Sequence, residues 1–300
     1  MLKLTLHELE TFVAISQTGT MRTAGELLGL SQSAVSAALA ELERRLNVVL
    51  FDRVGRGIVL NDDGRALLPR AIDVLQQVRD IQAEFGQTAH SNLSLASSQT
   101  IGNVLMPLLL QELLQQLPEI HVDLEIINSE TVIQRVLDCQ ADFGLIEGPY
   151  SHPKLVFEPW LDDELVVYAS KNNVLVHHSP DIQALAAEHW IVRESGSGIR
   201  RVLENALLPY LGNLNILLEL GSSEAIHEAV RCGLGIACGS RRALERELAR
   251  GEFVVLATPG IDLSRQFYLV WHGSRRLSAG AACLRQICQS LPQKTKNIVR

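Results

Sequence analysis

Residues 20–36 read Thr20-Met21-Arg22-Thr23-Ala24-Gly25-Glu26-Leu27-Leu28-Gly29-Leu30-Ser31-Gln32-Ser33-Ala34-Val35-Ser36. Thr20 can cap a helix, Gly29 closes it, and one residue later Ser31 caps another. Ala24, Leu30, Val35 and Leu39 are spaced to fill the angle between the two helices, so the run spells helix, tight turn, helix. The second helix extends to about Leu46. Upstream, Leu6, Leu9, Phe12, Val13 and Ile15 form an apolar helical stripe that stops at Gly19. Downstream, Phe51-Asp52-Arg53-Val54-Gly55-Arg56-Gly57-Ile58-Val59-Leu60 sets two short apolar arms around a glycine-containing tip. That is a hairpin signal, and a hairpin directly behind a helix-turn-helix is a wing.

A new helix starts at Asn61-Asp62-Asp63-Gly64, with Asp62 or Asp63 as its expected cap. Leu67, Leu68, Ala71, Leu75, Val78, Ile81 and Phe85 keep its apolar positions three or four apart. The pattern lasts long enough for about 37 Å of helix. A stripe of that length, with no partner following it, packs against its own chain or against a second copy; pairing with a copy is the expectation. After Ser91 strands and helices alternate. Strands are expected at Leu93–Ser97, Val122–Ile127, Phe143–Glu147, Leu165–Ala169, Trp190–Arg193, Ile216–Leu220, Gly235–Cys238, Phe253–Leu256 and Phe267–Trp271. Such alternation implies a mostly parallel α/β sheet, and the length allows two. Sheets of this kind bind ligands beyond the carboxyl ends of their strands.

Composition narrows the classes. The chain has 300 residues, 47% of them hydrophobic, which is enough for real cores. No apolar run reaches the roughly 18–20 residues of a membrane span; the longest candidate, Val104 to Leu117, is broken by Pro107 and carries Glu112. Glu8 and Glu10 stand where a secretion signal needs its apolar core, so a soluble, cytoplasmic protein is expected. The five cysteines are odd in number and lack C-x-x-C spacing, which suggests neither a disulfide nor a metal site. The net charge of −7 excludes a broad basic surface. Six basic and six acidic residues in 1–61 leave even the front segment neutral. Binding to DNA must then rest on a few placed cations and helix N-termini, strengthened by oligomerisation.

The stretches Leu9-Glu10-Thr11-Phe12, Thr23-Ala24-Gly25-Glu26-Leu27-Leu28, Ser31-Gln32-Ser33-Ala34-Val35-Ser36, Leu42-Glu43-Arg44-Arg45-Leu46 and Leu50-Phe51-Asp52-Arg53 together resemble the LysR-type transcriptional regulators. Ile146-Glu147-Gly148-Pro149, Glu158-Pro159-Trp160-Leu161 and Gly221-Ser222-Ser223-Glu224-Ala225-Ile226 resemble its branch of YeiE-like and CysB-like members. The resemblance implies a dimer of dimers. It also implies an α/β effector domain of two Rossmann-like lobes, of periplasmic-binding-protein type, behind an N-terminal all-α winged helix-turn-helix. The expected division is 1–61 for DNA binding, 62–90 for the linker helix and 91–300 for the effector domain. Lobe I is expected at 91–163 plus 266–293 and lobe II at 164–265.

A helix beginning at Ser31 would present Gln32, Ser33 and Ser36 to the major groove. Gln can both donate to and accept from an adenine edge, and Ser reaches bases or phosphates; the same residues could equally serve as caps and solubilising groups. Arg53 and Arg56 flank the wing tip, placed for phosphate or a narrow minor groove. Arg22 and Thr23 are candidates for backbone contact, with a solvated charge the plainer reading of Arg22.

For the effector, Ser97-Ser98-Gln99-Thr100 and Ser195-Gly196-Ser197-Gly198 each follow a strand and open a helix. Hydroxyls, free N–H groups and the helix dipole there favour an anion, although such residues also serve as ordinary caps. Glu147 ends a strand at the same level, where a carboxylate repels an anion unless neutralised, gates the pocket or binds an amine. Trp160 walls the cleft or fills core. The resemblance implies that Ser98, Thr100, Ser195 and Ser197 hold the effector, a sulfite- or sulfate-like anion in the related branch. No nucleophile elbow, phosphate loop or dinucleotide fingerprint is present, so neither an enzyme nor a cofactor is expected. A periplasmic-type binding protein would share the lobes but not the DNA-reading front.

Overall fold

Local signals build the front of the chain. In the computed structural model, which describes residues 4–54, 57–85, 92–177 and 180–298, helix α1 (Leu6–Thr18) starts from a capping box. The Thr5 hydroxyl accepts the Glu8 N–H at 3.2 Å while Glu8 accepts the Thr5 N–H at 2.9 Å. Gly19 ends it at φ 71°. Thr20 caps α2 (Met21–Leu28), and Ser31 caps α3 (Gln32–Leu46) by accepting the Ala34 N–H at 3.2 Å. The angle between α2 and α3 is close because a Cβ at Gly25 would lie 2.7 Å from the Leu30 carbonyl oxygen. Phe12, Ile15, Ala24, Val35 and Leu42 are fully buried between the three helices.

Strands β1 (Phe51–Val54) and β2 (Gly57–Leu60) form the wing, pairing Phe51 with Leu60 and Arg53 with Ile58. The Ile58 N–H donates to the Gly19 carbonyl and ties the wing to the turn before α2. Helix α4 (Asp62–Phe85) is capped by Asn61, whose side chain accepts the Gly64 N–H at 2.9 Å. The expected caps, Asp62 and Asp63, lie one and two residues too late, and Asp62 instead pairs with Arg65. Leu68, Ala71 and Leu75 of α4 join the core of the front domain, while Val74 and Ile81 face outward, 41% and 59% exposed.

Behind α4 the chain runs β3 (Asn92–Ser98), a π-helical turn at Ile101–Leu105, α5 (Met106–Gln116), β4 (His121–Ile127), α6 (Ser129–Leu137) and β5 (Phe143–Glu147). The long β6 (Leu155–Ser170) then crosses to a second half of α7 (Ile182–Ala187), β7 (Trp190–Arg193), α8 (Gly198–Leu211), β8 (Ile216–Leu220), α9 (Ser223–Arg231), β9 (Ile236–Ser240), α10 (Glu245–Ala249) and β10 (Phe253–Leu256). Strand β11 (Ser264–His272) returns, and α11 (Ala279–Ile298) covers the first half.

The strand order is β4-β3-β5-β11-β6-β9-β7-β8, with β10 on β6. Pairing is parallel within β4-β3-β5 and within β9-β7-β8, but antiparallel wherever β6 or β11 takes part. The expected mostly parallel sheet is thus a mixed one. A strand that leaves one lobe to enter the other runs opposite to its neighbours, and two such crossovers put β6 and β11 side by side. Both lobes bury apolar clusters on each face of their strands, and the lobes meet at the ends of β3, β5 and β7. Among the described residues no helix is long and apolar enough to cross a membrane.

Candidate DNA interface and effector cleft

The outer face of α3 is set by its period. Val35 and Leu39 are buried, so Gln32, Ser33, Ser36, Ala37 and Ala40 point away from the core and are exposed. Ser31 is the cap itself, and its hydroxyl also meets that of Ser33 at 2.9 Å. Ser31→Ala is expected to cost about 1 kcal/mol of front-domain stability, read by thermal unfolding. Thr23 shares a 2.9 Å hydroxyl contact with Thr20, and Arg22 pairs with Glu26 on the surface. Arg53 is exposed on β1; Arg56 lies outside the described residues.

Between the lobes the strand ends converge on a buried ion network. Arg265, at the start of β11, bonds Glu147 through Nη1, Asp163 through Nε at 2.7 Å and the Thr100 hydroxyl through Nη2 at 3.2 Å. The Thr100 N–H donates to Glu147 Oε1 at 2.8 Å, and the Ser240 hydroxyl donates to Asp163 at 2.8 Å. All five residues are buried. Burial alone would raise the Glu147 carboxyl, but the Arg265 guanidinium, the adjacent Ser98 hydroxyl and the Thr100 amide and hydroxyl outweigh it. The group is held below the ordinary carboxylate value. The Ser98 hydroxyl itself is buried and makes no hydrogen bond of normal geometry.

Two sets of polar contacts clamp the lobes. On one side Gln99 donates to the Gly221 carbonyl at 2.6 Å and accepts the Ser223 N–H at 3.0 Å, and Asn103 bonds Glu224 at 2.7 Å. On the other, the Gly196 carbonyl accepts from the Glu130 N–H and from the Tyr150 hydroxyl, each at 3.2 Å. Gly198 sits so near β5 that a Cβ there would lie 2.3 Å from the Glu147 carbonyl oxygen. Only glycine permits that approach.

These clamps divide the cleft. Thr100 lines a cavity of about 420 Å³ together with Arg193, Ser223, Ser240 and Arg242. Ser195, Gly196 and Ser197 line a different, smaller cavity of about 170 Å³ beside Glu130, Arg200 and Arg201. The two helix-opening turns picked out in the sequence therefore do not share one cavity. Trp160 is not in the cleft either. Its indole N–H donates to the Cys288 carbonyl at 2.6 Å and its ring packs on Phe267, so it fills core beneath α11. Pro159 and Trp160 belong to β6, whose first half pairs with β11 and turns the indole away from lobe II.

Arg265 escaped the sequence reading, although a signal existed. In β11 it shares the period-two face with Phe267 and Leu269, and a cation on a buried face needs carboxylates nearby. Arg193 ends β7, buried, with its guanidinium on Glu194 and the Ser223 hydroxyl.

Residues 86–292 match the LysR substrate binding domain, and residues 6–65 match the bacterial regulatory helix-turn-helix of the lysR family. The chain belongs to the LysR family of transcriptional regulators. Among LysR relatives, the HTH-type transcriptional regulator YeiE of Escherichia coli strain K12 is 42% identical over 275 residues, covering 92% of this chain and 94% of YeiE. The regulatory domain of Synechocystis PCC6803 CcmR in complex with 2-PG superposes with a TM-score of 0.62 at 31% identity, covering 67% of this chain and 97% of that domain. A full-length OxyR variant from Pseudomonas aeruginosa shares the fold of both parts, with a TM-score of 0.74 at 20% identity over 96% of each chain. The protein is a LysR-type DNA-binding regulator with an effector-binding domain, not an enzyme.

Proposed function

We propose that this regulator reads promoter DNA with the α3 face and the wing, and that a small anion held in the interlobe cavity lined by Thr100, Ser223 and Arg242 changes that binding. The observation that carries the reading is the Arg265 network. Glu147 would repel an anion, but Arg265 and Arg242 together balance Glu147 and Asp163, and Thr100, Arg193 and Arg242 line the cavity. The CcmR domain with bound 2-PG supports a small-molecule ligand in this domain. A sulfite- or sulfate-like oxyanion is the chemistry the donors suit. The self-association follows from α4: beyond Leu67 and Ala71, which pack on the front-domain core, Val74, Val78 and Ile81 follow in steps of four and three along a stripe that is outward at Val74 and Ile81. Pairing along that stripe gives a dimer, and two dimers give the assembly that presents front domains to successive half-sites. Such a DNA-binding role places the protein in the cytoplasm.

Calorimetric titration of the full chain with sulfite, sulfate, phosphate and acetate tests the cleft. Saturable binding of one oxyanion is expected, weakened about tenfold or more by Arg242→Gln. Ser195→Ala distinguishes the cavities, since its loop lies on the smaller one and the substitution should leave affinity unchanged. Absence of binding for all four anions would sink the anionic-effector reading. On the DNA side, Gln32→Ala should relax sequence preference, whereas Arg53→Ala should weaken specific and random duplexes alike. Equal losses on both duplexes for Gln32→Ala would remove its base-reading role.

A further inference from the structure

Among the described residues, the buried side-chain atoms that make no hydrogen bond include the Tyr168 hydroxyl and Glu247 Oε2. Both residues are on the lining of the 420 Å³ interlobe cavity, contributed by elements of the second lobe. Tyr168 comes from β6 and is fully buried, its ring held by Phe253 at 5.0 Å and by His227 edge-on at 5.8 Å. Glu247 comes from α10, close enough to bear on both Tyr168 and His227 electrostatically yet bonded to neither. An unmet phenol and an unmet carboxylate oxygen on the lining of one cavity are costly where water does not reach them, and a group carrying several N–H donors would satisfy both.

The size and charge of the cavity point the same way. A tetrahedral oxyanion displaces about two waters, roughly 60 Å³, far less than the space available. The lining carries Arg193, Arg242 and Arg246 but also Glu224, Glu245 and Glu247, a balance that suits a ligand bearing both signs. Burial pushes the His227 imidazole down, so its ring adds no cation to compete beside Tyr168. We propose that the effector is a small zwitterion whose oxyanion meets Thr100 and Arg242 and whose ammonium sits among Tyr168, Glu247 and His227. The proposal rests on the anionic reading of the cleft and adds a second, ammonium-binding end within lobe II.

Full-length protein titrated with matched probes tests it: taurine and homotaurine against ethanesulfonate, and β-alanine against propionate. At least one amino-bearing probe should bind about tenfold tighter than its amine-free partner. That advantage should collapse in Tyr168→Phe and in Glu247→Gln, while the affinity for the amine-free partner stays put. Tyr168→Phe removes only an unbonded hydroxyl and keeps the ring, so the variant should fold and melt no lower than the parent. Equal affinities within every pair, unchanged by either substitution, would overturn the proposal and leave a bridging water as the occupant, with the anion site intact. Failure of every probe to bind would overturn it together with the anionic reading.

Discussion

Replacing Arg265 by Ala is expected to remove about 3–5 kcal/mol from the stability of the effector domain, the largest effect of any single substitution considered. The guanidinium is fully buried, with Glu147 and Asp163 as its partners; its loss leaves buried Glu147 without a cation and Asp163 with only Arg242, at 3.7 Å. Tryptophan fluorescence in urea is the natural readout, because Trp160, Trp190 and Trp271, all the tryptophans of the chain, report on the α/β part. The double variant Glu147→Gln/Arg265→Met should recover much of the loss, since it leaves fewer unpaired charges and refills the volume. A cost below about 1 kcal/mol for Arg265→Ala would show that water reaches the network and that its charges are not truly buried.

The same substitution should change the response to pH. In the parent, the Glu147 carboxyl is depressed on folding, so its contribution is fully present above the unfolded carboxylate value and is lost as pH falls through the folded one. Without Arg265, burial dominates and raises that carboxyl, so the folded variant gains by taking up a proton. The stability gap between parent and variant should therefore narrow on going from about pH 7 to about pH 5. A gap that stays constant across that window would mean Glu147 is not the group left unpaired.

Much of this was legible in the sequence, because the signals were local. Gly19, Thr20, Gly29 and Ser31 punctuate the front helices where the structure has their ends, and nine strand cores lie where branched and aromatic residues cluster. The first half of β6 was not legible. Glu158-Pro159-Trp160 and the acidic run that follows break strand alternation, and Pro159 lacks the N–H that a ladder needs. It is tolerated because β6 carries an extra residue between Pro159 and Asp162 opposite Gln266 to Tyr268. Which of its two readings Trp160 takes was hidden for the same reason, since its neighbours decide which side of the strand it takes. The division of the cleft was also hidden. Ser195–Gly196–Ser197 and Ser98–Thr100 look alike as strand-to-helix turns, and only the contacts between the lobes, with Gly198 packed on Glu147, leave Thr100 on one cavity and Ser195–Ser197 on another.

The second large effect concerns α4 and the DNA. The proposed pairing predicts that Val74→Glu/Ile81→Glu yields a folded monomer whose affinity for a two-half-site promoter falls by about two orders of magnitude or more. Both side chains are exposed in the single chain, so the charges cost the fold little, whereas Leu68 and Leu75, on the face toward α1, would not tolerate them. The loss is steep because the front domain brings no net positive charge. Residues 1–61 balance six cations against six anions, so one copy holds DNA only through a few contacts and needs a second copy tethered nearby. Gln82→Glu puts the same charge next to Ile81 but off the stripe, and should leave assembly and DNA affinity within about twofold of the parent. Light scattering gives the mass, and gel shifts at fixed salt give the affinity. If Val74→Glu/Ile81→Glu remains dimeric at micromolar concentration, the stripe is not the seam, and the copies must meet through their effector domains instead.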